Sequence, residues 1–555
     1  MTKHLRSYIS SLKNYSSTLL SQIIPTIFRS RRVIILFCSF SLILTFILWQ
    51  LPPDHGPQLA LTDDDPGPPN PNPNRVALGQ YYPSRQTLCQ GNFDWLNELD
   101  IPFPVKYARR DIVVRSSPKA RRDSISKIYG PLYGDLRVIE PGKDNNESDL
   151  PPCLEPLFLD VPTFADIRAD ASHIIFGAAT TLGRLEGSLP FFERWLAYTN
   201  ARLFVVVTGP DDSAPNPEHM ADLQSRMRGL GLAATLVEPL DPKDGPLERY
   251  FSLVKILYAN RNEKTRWLGF IDDDTFVTSM SALASALDKY DHTQLRYLGA
   301  LSEEWWTVIL YGLIGMGGAG IFLSLPLAEI IDANHDECKE NSRMGFGDHK
   351  IYECIERYTD TPLTSLPGLY QIDIHGDRSG LFESGRQILT LHHWKEGYRD
   401  EKGEGPDGIR HQKWFPMEQM SLVTDICDRC YLQRWQFGTD TILSNGYSIS
   451  TYPKGALKTT KKKRLRLDKM EYTWVTPTRV EDSFNKGWDH YLGPLRPPLK
   501  LEEEKIPYRF LAGVKVDGGV RQYYRHLGKD GDMDTVIELF WIREEAWNST
   551  ATLPE

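Results

Sequence analysis

Hydrophobic runs alternate with amphipathic segments from residue 172 onward, a pattern typical of buried strands separated by helices. Continuous apolar runs predict strands at 173–178, 202–208, 233–237 and 267–271. Apolar residues at helical spacing predict helices near 185–196, 217–230, 249–258 and 281–290. This alternation predicts a mostly parallel sheet covered by helices, which is an α/β fold.

A second long apolar stretch, 307–328, has two interpretations. It is long enough to cross a membrane, but six of its residues are Gly or Pro. The polar segments on both sides must also share one compartment if they build one site. We therefore expect buried strands joined by a glycine-rich loop rather than a membrane span.

The N-terminal region has the pattern of a signal anchor. Residues 33–50 form an almost purely apolar segment, and Arg29, Arg31 and Arg32 precede it. By the positive-inside rule, residues 1–32 are a cytosolic tail and the rest of the chain is lumenal. A cleaved signal peptide is the alternative, but its n-region would be unusually long and no small-residue cleavage site follows. A buried core helix is disfavoured by the proline-rich flank.

The remaining chain divides into four regions by composition. Residues 51–85 are a proline-rich stem, which cannot build a core and is expected to be an extended spacer. Residues 86–171 predict an irregular lumenal lead-in, and 172–400 hold the α/β pattern. After a linker at 401–407, the region 410–555 predicts a β-rich C-terminal accessory region, with a hairpin turn at Asn445-Gly446.

Composition and charge exclude several classes of protein. The 555 residues are 41% hydrophobic and 25% charged, a balance that excludes a wholly disordered or fibrous chain. The formal net charge is −9, so a nucleic-acid partner is not expected, because phosphate binding requires a basic surface.

The cysteines and two glycosylation sequons agree with an oxidising compartment. Cys38 lies in the predicted span, and the other six are an even number, which suggests disulfides whose pairing the sequence leaves open. Our expectation is Cys338–Cys354, Cys427–Cys430 and Cys89–Cys153. The Cys427-x-x-Cys430 pair could also be half of a zinc site, although no second half is visible. Asn146 and Asn548 begin the two lumenal sequons.

Candidate chemistry is concentrated at Asp272-Asp273-Asp274. The triplet follows the predicted buried strand at 267–271, and ligands of open α/β sheets bind at the carboxyl ends of strands. Adjacent carboxylates repel unless a cation lies between them, and oxygen ligands suit Mn²⁺ or Mg²⁺. The same tripeptide at 63–65 has no preceding strand, so we interpret it as a solvated acidic segment. A haloacid-dehalogenase-like site is the enzymatic alternative, but Phe276 stands where that motif requires Thr or Val.

The triplet is one of an ordered set of short motifs. The others are Thr180-Thr181 with Arg184, Lys255, Gly317-Gly318-Ala319-Gly320, Gly347-Asp348 and His392-His393. In this order the chain resembles the fringe-like β1,3-glycosyltransferases (glycosyltransferase family 31), especially fringe-related members of fungal and plant type. The resemblance covers roughly residues 172–400.

This resemblance implies a GT-A fold, a UDP-sugar donor, Mn²⁺ and inversion at the anomeric carbon. It implies that Asp272, Asp274 and one of His392 and His393 bind the metal. The residues that it places at the donor are Thr181, Arg184, Lys255, Asp272, Asp273, Gly318 and Gly320. Asp348 would be the general base, although Gly347 replaces the first acidic residue of the family motif.

These expectations describe a single-pass type II Golgi enzyme with a lumenal catalytic domain. It would transfer a hexose, galactose or N-acetylglucosamine, from a UDP-sugar to a hydroxyl of a glycan or glycoprotein. The alternative is a membrane-tethered carbohydrate-binding protein that has kept the fold and lost catalysis.

Overall fold

The computed structural model describes most of the chain after residue 95. The described residues are 96–97, 99, 101–122, 125–140, 154–162, 169–342, 346–373, 378–394, 416–454, 470, 477–480, 488–491, 499–500, 503–516, 518–529 and 531–551. The predicted tail, membrane span, stem and linker lie outside them, as do Asn146, Cys89 and Cys153. Within the described residues, no helix combines the length and the apolar character needed to cross a bilayer.

The strands are numbered in chain order. They are β1 (Val105–Ser116), β2 (Ser126–Ile128), β3 (Arg137–Ile139), β4 (Leu157–Val161), β5 (Ile174–Thr181), β6 (Arg202–Thr208), β7 (Ala233–Val237), β8 (Trp267–Phe270), β9 (Phe276–Val277), β10 (Tyr297–Gly299), β11 (Ile321–Ser324), β12 (Leu363–Ser365), β13 (Leu369–Tyr370), β14 (Thr390–Leu391), β15 (Arg434–Phe437), β16 (Thr441–Ser444), β17 (Ser448–Thr451), β18 (Pro477–Val480), β19 (Trp488–Tyr491), β20 (Ile506–Val516), β21 (Gly519–His526) and β22 (Thr535–Arg543).

The helices are numbered in the same way. They are α1 (Leu182–Leu196), α2 (Pro217–Gly229), α3 (Pro246–Ala259), α4 (Met280–Leu287), α5 (Trp305–Tyr311), α6 (Leu325–Ala333), α7 (His335–Glu340), α8 (Gly347–Tyr358), α9 (Ser379–Phe382), α10 (Met417–Met420), α11 (Thr424–Cys427) and α12 (Glu544–Ala551). Short 3₁₀ turns lie at Pro210–Asp212 and Ser421–Val423.

A seven-stranded sheet forms the centre of the predicted α/β region. Its order is β12-β10-β11-β8-β5-β6-β7, and β8, β5, β6 and β7 are parallel neighbours. All four strands predicted from the apolar runs are present, as are the four helices α1 to α4. The α/β prediction is confirmed because continuous apolar runs fit strands that are covered on both faces.

A small three-stranded sheet lies beside the end of β8. Its order is β13-β14-β9, and β9 pairs antiparallel with β14, with Phe276 opposite Leu391. This pairing joins the segment that follows the acidic triplet to the segment that precedes the two histidines. The small sheet therefore positions the candidate site, although each of its strands has only two residues.

A ten-stranded sheet contains the C-terminal strands, so the β-rich character of this region is confirmed. Its main path is β2-β15-β16-β17-β20-β21-β22-β1-β3, and β4 pairs with β1. The turn at Asn445-Gly446 joins β16 to β17, and Gly446 has a positive φ of 81°, which glycine adopts without strain. Strands β1 to β4 come from residues 105–161, which the sequence predicted to be irregular. That prediction fails because β1 and β2 also pair with strands far along the chain, β22 and β15, which a local sequence pattern does not reveal.

The two large sheets share one hydrophobic core. A single buried cluster includes Phe176 and Trp195 from the seven-stranded part and Trp435 and Trp541 from the ten-stranded sheet. The domain boundaries drawn from composition stay a prediction, but the C-terminal strands are packed against the α/β part rather than attached to it by a linker alone.

The second apolar stretch is only partly as expected. Residues 305–311 form helix α5 instead of a strand, while the glycine-rich segment that follows leads into the buried strand β11. Gly312, with a φ of 86°, ends the helix. Periodicity could not separate a short helix from a strand here, because the segment is apolar at most positions.

Candidate functional site

The acidic triplet forms a tight turn directly after β8. The backbone N–H of Asp272 donates to Oγ1 of Thr275 at 2.9 Å, and the hydroxyl of Thr275 donates to the carbonyl of Gly318 at 2.7 Å. The indole N–H of Trp394 donates to the carbonyl of Asp274 at 2.6 Å. The turn is therefore tied both to the glycine loop and to the residues after β14.

His392 completes a cluster with two of the three acids. Its Nε2 lies 2.9 Å from Oδ1 of Asp274 and 3.2 Å from Oδ2 of Asp272. The imidazole is buried, Asp274 is nearly so, and Asp272 remains more than one-third exposed. This group is a cluster of metal-ligand type among the described residues, with its ligand atoms within 4.8 Å of one another.

The donor set of this cluster fits a divalent cation. Burial alone would lower the pKa of His392, but the charges of Asp274 and Asp272 and their hydrogen bonds raise it well above its usual value. The imidazolium thus offsets one of the two carboxylate charges, whereas a divalent cation bound by two carboxylate oxygens and one imidazole nitrogen would balance both. One face of the cluster is open, since Asp272 is partly exposed.

Asp273 points away from the cluster and is held by other residues. Its two carboxylate oxygens accept from Nε and Nη2 of Arg184 at 2.7 and 2.8 Å, and the hydroxyl of Thr180 also donates to it. The hydrogen bonds and charge of Asp273 raise the pKa of Arg184. Asp273 is 5% exposed, so these bonds are what permits its burial.

Thr181 has a local structural role next to this pair. It is the N-cap of α1, where its hydroxyl accepts from the backbone N–H of Arg184 at 3.4 Å. Thr180, and not Thr181, makes the contact with the triplet. The Arg184 side chain is 55% exposed despite its bidentate bond to Asp273.

The glycine loop lies directly against the His392 ring. A Cβ atom at Gly318 would lie 2.3 Å from Nδ1 of His392 and 2.4 Å from its Cγ, so only glycine allows this approach. Gly320 needs glycine for a different reason, since its φ is 104°. The amide of Ala319, between them, donates to Oε1 of Gln371 at 2.9 Å.

Asp348 lies on the other side of the same loop, in the first turn of α8. Its Oδ2 accepts from the backbone N–H of Gly317 at 3.1 Å, and its Oδ1 accepts from that of His349 at 2.8 Å. Burial, opposed by these bonds and reinforced by the charge of Asp272, raises the pKa of Asp348 to about 6. A carboxylate with this pKa is a competent base near neutral pH.

His393 belongs to a different group from His392. Its Nδ1 lies 3.0 Å from Oδ1 of Asp373, whose other oxygen accepts from the hydroxyl of Ser302. His393 has a φ of 46°, and this left-handed turn places the two imidazole centroids 3.9 Å apart instead of on opposite faces of a strand. The structure therefore places His392, and not His393, with Asp272 and Asp274.

Glu303 is a further acid in this neighbourhood, and it is half-buried. Its two oxygens accept from the backbone N–H groups of Gln371 and Asp373 at 3.1 and 3.2 Å. Burial, with the nearby charge of Asp373, raises the pKa of Glu303 to about 8. The residue holds the segment before the small helix α9 against the segment after β10.

Two of the predicted site residues lie apart from the cluster. Lys255, on α3, forms an ion pair with Asp336 at 3.3 Å, so its role at the donor stays a prediction without a supporting contact. Asn548 lies in helix α12 and is exposed. The disulfides Cys338–Cys354 and Cys427–Cys430 are both present, which excludes the half-zinc interpretation of the second pair.

The sequence did not single out Tyr250, Asp373 or Gln371. Tyr250 has the spacing of a core residue on α3, and its hydroxyl is buried without a hydrogen-bond partner among the described residues. Asp373 and Gln371 follow the two-residue strand β13, which is too short to recognise by periodicity. The sequence offered one signal for Tyr250, which is that it lies five residues before the predicted donor-site residue Lys255.

Two family models match the part of the chain that builds this site. A model described as fringe-like matches residues 250–346, and a model described as a protein of unknown function, DUF604, matches residues 309–397. Together they run from Tyr250 in α3 past the acidic triplet, the glycine loop and Asp348 to the two histidines. A comparison with curated proteins found no relative that matches.

Solved glycosyltransferase structures are only distantly similar. A mannosyltransferase from Pyrobaculum calidifontis in complex with GDP-Man and Mn²⁺ is 12% identical, with a TM-score of 0.27, over 38% of this chain and 60% of that one. Mouse xyloside xylosyltransferase 1 in its apo form is 11% identical, with a TM-score of 0.26, over 40% of this chain and 97% of the other. The apo bifunctional glycosyltransferase WbbM is 10% identical, with a TM-score of 0.28, over 45% of this chain and 50% of its own.

Similarities at these TM-scores add nothing to the assignment, which rests on the sequence matches and on the residues that they contain. The fringe-like match includes the acidic triplet and the glycine loop, and the overlapping match adds Asp348 and His392. Over residues 250–346 this chain is therefore similar to the fringe-like family, and the resemblance that the ordered motifs predicted is confirmed for that segment.

Proposed function

We propose that the protein transfers a hexose from a UDP-sugar to a hydroxyl of a glycan or glycoprotein, with inversion and with the help of a divalent cation, on a GT-A fold. The observation that carries the proposal is the division of acids around the glycine loop. Asp272 and Asp274 lie with His392 on one side, and Asp348 lies alone on the other. Galactose and N-acetylglucosamine are the donor sugars that we expect from the family resemblance.

Asp272, Asp274 and His392 would hold Mn²⁺. When bound, the cation would neutralise the diphosphate of the donor and so stabilise the departing nucleotide. Arg184 supports the same end of the site, since the exposed part of its side chain can approach phosphate or ribose oxygens while Asp273 fixes its orientation.

Asp348 is the base in this proposal. Its carboxylate takes the proton of the acceptor hydroxyl while the acceptor oxygen forms a bond to the anomeric carbon. The bond from that carbon to the phosphate oxygen breaks, and UDP leaves with the electron pair. One displacement of this kind inverts the configuration and needs only one base, which agrees with the separation of Asp348 from the histidine cluster.

A donor screen tests the substrate class. Purified lumenal protein, from residue 86 onward, would be titrated with UDP-sugars in the presence of Mn²⁺ and followed by calorimetry and by thermal shift. We expect one UDP-hexose to bind in a Mn²⁺-dependent manner. Equal binding of all sugars with and without the cation would contradict the metal-dependent donor site.

An Asp348→Asn substitution tests the base and separates an enzyme from a carbohydrate-binding protein. We expect donor binding to persist while transfer falls by roughly 10²-fold or more. Asp360→Asn is the matched control, because Asp360 is an exposed aspartate just beyond the same helix. Transfer at the wild-type rate in Asp348→Asn would exclude Asp348 as the base, and donor binding without turnover in the wild type would favour the lectin-like alternative.

The pH dependence follows from the raised pKa of Asp348. Transfer should fall as the pH drops through about 6, since the base becomes protonated. Because the folded-state pKa lies above the usual value of 3.8, this group favours the folded state when protonated. Its contribution is lost as the pH rises from about 4 to 6.

We further propose that the enzyme is anchored in the Golgi membrane by residues 33–50, with the catalytic part in the lumen. The two disulfides and the exposed Asn548 are compatible with an oxidising, glycosylating compartment. Expression in cells followed by glycosidase treatment is the test. Loss of a mass shift after Asn146→Gln and Asn548→Gln would support lumenal exposure, and the absence of any shift in the wild type would count against it.

A further inference from the structure

The hydroxyl of Tyr250 is buried in the candidate site, and no described residue forms a hydrogen bond with it. The residue is 8% exposed, and its oxygen makes no hydrogen bond to any described residue. A buried polar group that lacks a partner destabilises a protein, so it requires an explanation. The hydroxyl of Tyr250 lies between the glycine loop and the start of α8, and this position suggests an explanation.

Tyr250 lies against two glycines that adjoin Asp348, Gly317 in the glycine loop and Gly347 at the start of α8. A Cβ atom at Gly317 would lie 2.3 Å from the Tyr250 oxygen, and the N–H of Gly317 donates to Asp348. A Cβ atom at Gly347 would lie 2.6 Å from the Tyr250 ring, and Gly347 directly precedes Asp348. Two glycines thus make room for this ring beside the base.

The phenol has the chemistry of a hydrogen-bond donor. Burial and the charges of Asp272 and Asp348 raise its pKa well above the usual value, so it keeps its proton. Each oxygen of Asp348 accepts one backbone N–H, which leaves further acceptor capacity on the carboxylate. The hydroxyl of Tyr250 lies beside Gly317, whose N–H binds that carboxylate, and it makes no hydrogen bond to any described residue.

We propose that Tyr250 is a positioning residue, whose hydroxyl donates to the Asp348 carboxylate when the substrates are bound and so orients the base toward the acceptor. This inference rests on the proposed role of Asp348. We therefore expect the hydroxyl of Tyr250 to contribute nothing to the stability of the folded protein and to affect only the rate of transfer.

Tyr297 provides a matched control. It is also a buried tyrosine against the same loop, but its hydroxyl accepts from the backbone N–H of Gly315 at 2.8 Å. Tyr297→Phe therefore removes a bond that exists in the free protein, and we expect a lower melting temperature. Tyr250→Phe removes a hydroxyl without a partner, and we expect an unchanged or higher melting temperature.

The experiment measures melting temperature, kcat and KM for both variants with the donor and acceptor found in the screen. For Tyr250→Phe we expect kcat to fall roughly tenfold or more with little change in either KM. For Tyr297→Phe we expect the opposite pattern, with lower stability and a kcat close to wild type. Mn²⁺ affinity, measured by calorimetry, should be unchanged in Tyr250→Phe.

Three results would overturn the inference. A clearly lower melting temperature in Tyr250→Phe would reveal a structural partner for the hydroxyl, whether or not the protein is active. Weaker Mn²⁺ binding would show that the residue acts through Asp272. A wild-type kcat in Tyr250→Phe, in a protein that Asp348→Asn inactivates, would exclude the positioning role while leaving the proposed function intact. If Asp348→Asn itself retains activity, the positioning role of Tyr250 and the role of Asp348 as the base fail together, while the transferase activity stands.

Discussion

Single residues around His392 show how closely this site is packed. Gly318 and the imidazole approach each other so closely that a methyl group has no space. The importance of Gly318 could be suspected from the sequence, because Gly317, Gly318 and Gly320 form a glycine-rich turn. Its contact with His392 could not be foreseen, since His392 is more than seventy positions further along the chain.

Gly318→Ala should therefore damage the metal site. The added Cβ would lie 2.3 Å from Nδ1 of His392 and displace the ring from Asp272 and Asp274. We expect Mn²⁺ affinity, measured by calorimetry, to fall roughly tenfold or more.

The control is Gly187→Ala, because nothing lies within 4 Å of the new Cβ there and alanine favours the helix. It should leave Mn²⁺ binding unchanged and raise stability slightly. Unaltered Mn²⁺ affinity in Gly318→Ala would show that the ring is not a ligand.

Asp273 and Asp272 are expected to have different roles, the first in stability and the second in metal binding. Asp273→Asn should lower the free energy of unfolding by about 1 to 3 kcal/mol, since it weakens the buried bonds to Arg184 and Thr180. Asp272→Asn should leave stability unchanged or increased, because it removes one of several neighbouring negative charges, but it should weaken Mn²⁺ binding. Urea denaturation and calorimetry on both variants make the comparison, and equal loss of stability in the two would contradict these separate roles.

At the scale of elements, two very short strands decide the geometry of the site. The β9–β14 pair places Phe276 opposite Leu391, so that Asp274 and His392 meet just beyond its end. Neither strand has a sequence pattern long enough to recognise. Helix α1 and strand β8, by contrast, were predictable because their apolar residues face a continuous core.

The disulfide Cys338–Cys354 connects α7 to α8, the helix that carries Asp348. It closes a loop of 16 residues, so its removal should lower the free energy of unfolding by about 3 kcal/mol in the chain-entropy description. We expect Cys338→Ser with Cys354→Ser to lower the melting temperature and to inactivate the enzyme at a lower temperature.

The second disulfide is an internal control for this expectation. Cys427 and Cys430 are separated by only three positions, so the entropy lost from the unfolded chain is smaller. Their double serine variant should lose less stability in the same denaturation experiment. A larger loss there would show that packing of the buried sulfurs, and not loop closure, dominates.

At the scale of the whole molecule, the ends of the described chain meet in one sheet. Strand β22 pairs in parallel with β1 along nine residues, from Lys106 opposite Thr535 to Val114 opposite Arg543, and it also pairs with β21. The C-terminal region therefore completes a structure that begins at residue 105. Composition suggested that this region is an accessory one. Composition cannot reveal pairing between strands so far apart in the chain, such as β1 and β22.

Deletion of residues 535–555 tests this arrangement. Without β22, the long edges of β1 and β21 lose their partner, and the buried Ile537, Leu539 and Trp541 are lost from the shared core. We expect the truncated protein to be insoluble or unfolded by circular dichroism. A protein that starts at residue 86 should remain folded, and a folded, active C-terminal truncation would contradict a shared core.

The sequence by itself determined the alternation of strands and helices, the acidic triplet at the end of a strand and the order of the motifs. These features are encoded locally, by periodicity, by residue type and by short spacing. Only the tertiary structure decided which histidine joins Asp272 and Asp274, that Asp273 binds Arg184, and that Tyr250 lies unpartnered beside Asp348. Those choices depend on contacts between residues far apart in the chain, which exist only when the whole core is assembled.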